Sequence, residues 1–240
     1  MRNVNKNIEL TILMPCLNEE KTIGICVKKA FQFLNDNNIV GEVLVINNGS
    51  TDNSYEIASM LGARVLTLTQ KGYGCAISYG IKNALGKYII MADADDSYNF
   101  LEILSFLTGL REGYDFVMGN RFLGKIEKGA MPFSHRYIGT PLITLFGNIL
   151  YHSKLGDYNC GLRGFNRRKI SKIYFNSTGM EFASEMIIKV TRNQFKIKEV
   201  PVNLYRDKRE RKPHLNTIRD GLRHLSVLII GVFIYDKESI

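Results

Sequence analysis

The stretch that most constrains this chain is Tyr88-Ile89-Ile90-Met91-Ala92, an apolar run that stops abruptly at Asp93-Ala94-Asp95-Asp96. A run this short, with no charged residue to face water, predicts a strand buried on both faces. Its acidic end puts carboxylates at a strand terminus, where they suit a hard cation. Mg2+ or Mn2+ is the expected ion, bound by one or two carboxylates and completed by diphosphate oxygens. A polar turn whose Asp side chains cap the next helix is the alternative.

The chain on either side alternates between strand and helix patterns. Residues 8–14 read as a strand, followed by Pro15-Cys16-Leu17-Asn18-Glu19-Glu20 and a helix with Ile23, Val27, Ala30, Phe31 and Leu34 on one face. Asn18 is the expected N-cap of that helix, with Glu19 and Glu20 favoured by its dipole. Residues 42–46 form a second strand ending in Asn47-Asn48-Gly49-Ser50-Thr51-Asp52, and a helix then runs to Gly62. A third strand, residues 64–68, leads into Gln70-Lys71-Gly72-Tyr73-Gly74 and a helix that Gly86 stops. After the acidic strand end come a helix carrying Leu104, Leu107 and Leu110 and a fifth strand, residues 114–118, ending in Gly119-Asn120-Arg121. The short links predict an α/β fold with a mostly parallel central sheet covered by helices on both faces. Ligands of such sheets bind beyond the carboxyl ends of the strands, so these loops gather on one rim.

The remaining chain is less regular. Residues 122–136, with Gly124, Gly129 and Pro132, suit a lid or binding loop. Thr140-Pro141 opens a helix whose Leu142, Leu145, Phe146, Ile149 and Leu150 are expected in the core, an acceptor-facing surface being the alternative. Residues 182–193 read as a helix, on which Glu185 either pairs with a basic residue or lines the pocket. Residues 196–205 read as a late strand, and Arg206, Arg209 and Arg211 follow it in a basic loop. The apolar run 225–235 has eleven residues, short of the roughly 20 needed to cross a bilayer. Residues 1–215 are therefore expected to form the α/β domain, and residues 216–240 a basic and apolar helical tail that associates with an anionic membrane surface.

A net charge of +9 over 240 residues favours anionic partners. Nucleic acid is not expected, because the basic residues lack interleaved stacking aromatics. A dinucleotide oxidoreductase is not expected either, since no Gly-x-Gly-x-x-Gly follows the first strand. Cys16, Cys26, Cys75 and Cys160 are too scattered for a zinc site or a disulfide framework, and the polar N-terminus has no secretory pattern, so a cytoplasmic location is expected.

Several motifs in order carry a resemblance to a known family. The Pro15 to Glu20 run, the Asn47 to Asp52 turn and the Asp93-Ala94-Asp95 end resemble the family 2 glycosyltransferases with the GT-A fold. Gly119-Asn120-Arg121, Asp157-Tyr158-Asn159-Cys160-Gly161-Leu162-Arg163-Gly164-Phe165 and Glu199-Val200-Pro201-Val202 resemble the branch of dolichol-phosphate mannose synthase and bacterial polyprenyl-phosphate glycosyltransferases. The resemblance implies inverting transfer of a hexose from UDP-hexose or GDP-mannose to a polyprenyl phosphate. The reaction would take place at the cytoplasmic membrane face and serve cell-envelope glycan synthesis. Another member of the same family would glycosylate a hydroxyl of a polysaccharide or other envelope precursor.

Carried over residue by residue, the resemblance puts Pro15, Asn18 and Glu19 beside the nucleotide, with Glu19 accepting from base or ribose. Asn47 stands where the family usually has Asp, and Lys71 joins the nucleotide-sugar side of the rim. Asp93 would sit near the ribose and the metal's outer shell, and Asp95 would ligate the metal. Ser97 replaces a Gln common in the branch, so a hydroxyl or water would stand in for the amide. Arg121 and Arg163 would stabilise the leaving diphosphate. Asp157 could deprotonate an acceptor, position an arginine such as Arg163, or cap a turn, with positioning the expected role. Arg206, Arg209 and Arg211 would clasp the acceptor phosphate.

Overall fold

Apolar segments with short links become strands that pair in parallel. The computed structural model describes residues 7–209 and 217–234. Four strands, β1 (Leu10–Cys16), β2 (Gly41–Asn47), β3 (Arg64–Thr67) and β4 (Tyr88–Met91), are joined by α1 (Ile23–Asp36), α2 (Ser54–Met60) and α3 (Tyr73–Asn83). All four residues of β4 are buried, as a strand covered on both faces requires. A 3-10 turn (Phe100–Glu102) and α4 (Leu104–Arg111) lead to β5 (Phe116–Asn120). A π-helical turn (His135–Gly139) runs into α5 (Thr140–Tyr151), followed by β6 (Arg163–Asn166), α6 (Arg167–Ile170), α7 (Phe182–Arg192), β7 (Ile197–Pro201) and α8 (Thr217–Ile234).

The strands form one sheet in the order β3-β2-β1-β4-β6-β5-β7. The chain leaves β1 for β2 and β3 on one side and returns to β4 on the other. That reversal opens a crevice between the ends of β1 and β4, where doubly wound sheets bind ligands. It brings Pro15 and the Asp93 turn side by side.

Sheet and helices agree with the mostly parallel reading, with one unforeseen strand. β6 runs antiparallel to both β4 and β5. Its sequence, Arg163-Gly164-Phe165-Asn166, has no apolar alternation. Only its partners make it a strand: Phe165 faces Phe116 across the ladder, and Gly164 lies under Leu110, Ile90 and Phe106. The first strand also starts two residues later than its apolar pattern suggests.

The expectation for α5 is overturned. Of the five apolar residues only Leu150 packs against the core; Leu142, Leu145, Phe146 and Ile149 are all about half exposed, whereas Thr140, Thr144, Gly147 and Tyr151 are buried. The helix packs through its small and polar stripe because Tyr158 presses on it. A Cβ at Gly147 would stand 2.3 Å from the Tyr158 ring. α8 rests on α5 and α7: Leu228 is buried, the Tyr151 hydroxyl donates to the Leu228 carbonyl, and Ser184 Oγ meets His224 Nδ1 at 2.8 Å. Leu222, Ile229, Ile230 and Phe233 remain exposed along it. No described helix is long and apolar enough to cross a membrane.

Candidate active site

A cleft of about 740 Å³ opens over the β1 and β4 ends. From the β1 loop, Pro15, Cys16, Leu17 and Glu19 line it. Asn18 does not, and it is not the cap of α1, whose N-cap is Thr22. Asn18 takes a left-handed conformation (φ 56°) and its side chain accepts from the Thr51 N–H at 2.7 Å. It ties the first rim loop to the second.

The second loop contributes Asn48 rather than Asn47. Asn47 Oδ1 accepts from Ser50 N and closes its own turn. Asn48 lines the cleft while its amide donates to the Gln70 carbonyl and its oxygen accepts from Gly72 N. The resemblance points to Asn47, but two adjacent asparagines carry no local signal for which one turns inward. Lys71 is exposed and outside the lining, its Cε lying over Gly49, whereas Gly72 and Tyr73 face the cleft.

The third wall was not foreseen. Gly179, Met180, Phe182 and Ala183 line the cleft beside Gly72, where an added Cβ would stand 2.3 Å from the Thr178 carbonyl. Glu185 holds this wall from behind, accepting from Asn176 N and Ser177 N at 2.8 and 2.7 Å and pairing with Lys189 at 3.1 Å. The Thr178 carbonyl in turn accepts from Gly74 N, and a Cβ at Gly74 would lie 2.3 Å from the Ser177 carbonyl. Gly74 thus permits backbone-to-backbone packing of two cleft walls.

Asp93, Asp95 and Ser97 lie on the cleft floor. Asp95 Oδ1 accepts from Ser97 N at 3.0 Å, and its Oδ2 lies 2.9 Å from Arg209 Nη2. Asp96, with φ 61°, turns away and pairs with Lys29 and Lys208 at 2.6 and 2.7 Å. Desolvation first, and the charge of Asp95 second, push the Asp93 carboxyl up to about 6. Two oxygen-bearing groups that repel each other, one already drawing in a guanidinium, fit a hard divalent cation. Among the described residues no group of three or more His, Cys, Asp or Glu converges, so such an ion would take most of its ligands from diphosphate and water.

Asp157 and Arg121 meet behind the opposite wall. Arg121 Nε and Nη2 reach Asp157 Oδ2 and Oδ1 at 2.6 and 2.7 Å, and the backbone N–H groups of Arg121 and Asn159 complete the carboxylate's partners. Asp157 is fully buried and Arg121 lines the cleft. The carboxylate therefore positions Arg121, not Arg163. Arg163 is 1% exposed and donates to the backbone carbonyls of Cys160, Ala183 and Tyr158. Those three bonds brace the turn on which it stands, and the residue itself forms part of the cleft lining. Arg206 is exposed and outside the lining, its N–H donating to Glu127, and Arg211 lies outside the described residues.

An acidic pair at the β1/β4 crevice, an aspartate-held arginine lining the same cleft and the order of strands in the sheet together narrow the family. Residues 11–174 match the model for glycosyl transferase family 2. The chain belongs to that family. It is 40% identical to the low-salt glycan biosynthesis hexosyltransferase Agl6 of Haloferax volcanii, over 92% of this chain and 53% of that one. It is 30% identical to a dolichyl-phosphate hexose transferase of the same organism, over 81% of this chain and 82% of the relative. The chain thus spans about half the length of Agl6. Among solved structures it resembles glucosyl-3-phosphoglycerate synthase from Mycobacterium tuberculosis, in complex with Mn2+, UDP and glucosyl-3-phosphoglycerate. The TM-score is 0.74 at 17% identity, covering 93% of this chain and 79% of the other. That likeness is one of fold, and this family 2 member has the GT-A architecture.

Proposed function

We propose that this glycosyltransferase moves a hexose from a nucleoside diphosphate sugar to a polyprenyl phosphate, with inversion, while resting on the cytoplasmic face of a membrane. The observation that carries the reading is the saturated Asp157. Buried and engaged by both Arg121 donors and two backbone N–H groups, it has no free lone pair with which to take a proton. A hydroxyl acceptor needs such a base, whereas a phosphate monoester is already anionic near neutral pH. The relatives named for hexosyl transfer and for a dolichyl-phosphate acceptor support the same choice.

In this reading an acceptor phosphate oxygen attacks the anomeric carbon, the bond to the diphosphate breaks, and the diphosphate leaves with the electron pair. Arg121, held by Asp157, stabilises the growing negative charge without a proton transfer. Asp93 and Asp95 would hold Mg2+ or Mn2+, which when bound supplies further charge stabilisation to the diphosphate. All of Glu19, Asn48, Gly129 to Pro132 and His135 line the cleft, and in this reading the first two would meet the nucleotide and the others the acceptor.

The exposed apolar side chains of α5 and α8, joined by Phe133, Tyr137 and Ile138, give the acceptor end a surface that would lie at the lipid headgroup boundary. Anchoring by this face would be peripheral. The deciding experiment offers UDP-glucose, other UDP-hexoses and GDP-mannose with either a short polyprenyl phosphate or hydroxyl acceptors, and reads products by mass spectrometry. A hexosyl phosphopolyprenol is expected. Product on the hydroxyl acceptors alone would overturn the reading.

A further inference from the structure

The segment after β7 is strapped across the acidic turn by contacts that do not involve Arg209. Tyr205 N donates to the Ser97 carbonyl, Lys208 N to the Asp95 carbonyl, and Arg206 N to Glu127. Lys208 Nζ adds a 2.7 Å pair with buried Asp96. Arg209 then extends into the cleft, 2.9 Å from Asp95 Oδ2, 3.4 Å from Asp207 Oδ2 on its own strap and 3.7 Å from Glu19 Oε1. Its Nε is buried and has no hydrogen-bond partner among the described residues.

We propose that Arg209 is an exchangeable counter-ion for Asp95, so that a divalent metal binds well at this site only once a nucleoside diphosphate has drawn the guanidinium away. The proposal rests on the function proposed above, in which Asp95 holds the metal. One oxygen of Asp95 is committed to Ser97 N and the other to Arg209. A divalent cation approaching that oxygen meets a guanidinium of like charge already held against it, and a guanidinium pushed aside without a diphosphate present would lose its closest carboxylate partner. A diphosphate supplies new anionic oxygens that match the planar fork, including a partner for the unpaired Nε. The strap need not open for this exchange, because its anchors lie on the backbone and on Asp96. Metal and nucleotide are then coupled ligands, each strengthening the other by the same factor.

The test measures Mn2+ binding to the full chain by electron paramagnetic resonance of the free ion, without nucleotide, with UDP, and separately with GDP. Arg209→Gln should bind Mn2+ alone at least ~10-fold more tightly than the parent. Saturating UDP or GDP should tighten the parent and remove most of that difference. Lys208→Ala, which slackens the strap but keeps the guanidinium, should shift Mn2+ affinity the same way by a smaller factor. Asp95→Asn should abolish the site in every arm. Mn2+ binding that survives Asp95→Asn overturns this proposal together with the metal site beneath it. If Asp95→Asn removes binding but parent and Arg209→Gln hold Mn2+ alone equally, only the exchange is overturned.

Discussion

Two aspartate–arginine pairs border the same cleft and differ in how completely each carboxylate is used. Asp157 is fully buried, with a two-pronged bond from Arg121 and two backbone donors. Asp95 makes a single contact to Arg209, on a strap beyond the last strand, and one to a backbone N–H. The first pair is built to stay closed, since removing either partner would strand a buried charge. The second is built to exchange, since the guanidinium can reach another anion without breaking a fold contact. Saturation therefore marks a positioning residue, and an incomplete set of partners marks a group that meets ligand.

The largest effect that could break this contrast is on chemistry. Asp95→Ala should lower turnover by on the order of 10³-fold with unchanged thermal unfolding, and chelation by EDTA should mimic it. Full activity of that variant in chelator would end the assignment of Asp95 to the metal. Next is Arg121→Ala, which leaves the Asp157 charge buried without its counter-ion. It should cost about 3–5 kcal/mol of stability in urea unfolding, as well as transfer.

Asp157→Asn sharpens the comparison further. It keeps the shape but weakens the hold on Arg121, so transfer to a phosphate acceptor should fall by roughly tenfold and persist, with no change in pH profile. Complete loss, together with parent-like behaviour of Arg209→Ala, would instead assign Asp157 to proton abstraction and favour a hydroxyl acceptor.

The smallest effect concerns a third carboxylate, Glu185, which holds a wall of the cleft. Burial raises its pKa, but the N–H groups of Asn176 and Ser177 and the charge of Lys189 outweigh that and hold it below the usual value. A depressed folded pKa contributes stability that is present above the unfolded pKa and is lost as pH falls through the folded one. Glu185→Gln should therefore cost about 1–3 kcal/mol near neutral pH. The gap between parent and variant melting temperatures should narrow on acidification below about pH 4. A gap that is independent of pH would show that packing, not ionisation, holds the Thr178 wall.

How legible each part was follows from where its determinants lie. The β1 to β5 alternation could be read because apolar runs of strand length and one-sided helices are local patterns. The acidic turn stood out because three Asp residues end an apolar run. The roles of Asp157 and Arg163 could not be separated along the chain. Both stand in one motif, yet one side chain meets Arg121 from another strand end while the other bonds the carbonyls of Cys160, Tyr158 and the distant Ala183. α5 misled because its apolar residues satisfy helical periodicity equally well facing a core or facing outward.

By itself the sequence determined the parallel half of the sheet, the rim of loops at its carboxyl edge and the family, since each depends on short-range periodicity or on motifs in fixed order. Tertiary structure alone decided that β6 is a strand, that Asn48 rather than Asn47 faces the cleft and that α5 buries its polar stripe. It also decided that Arg209, 114 positions from Asp95 in a chain of 240, is the cation that meets it. These are choices between groups of the same local propensity, and only contacts with distant residues distinguish their energies.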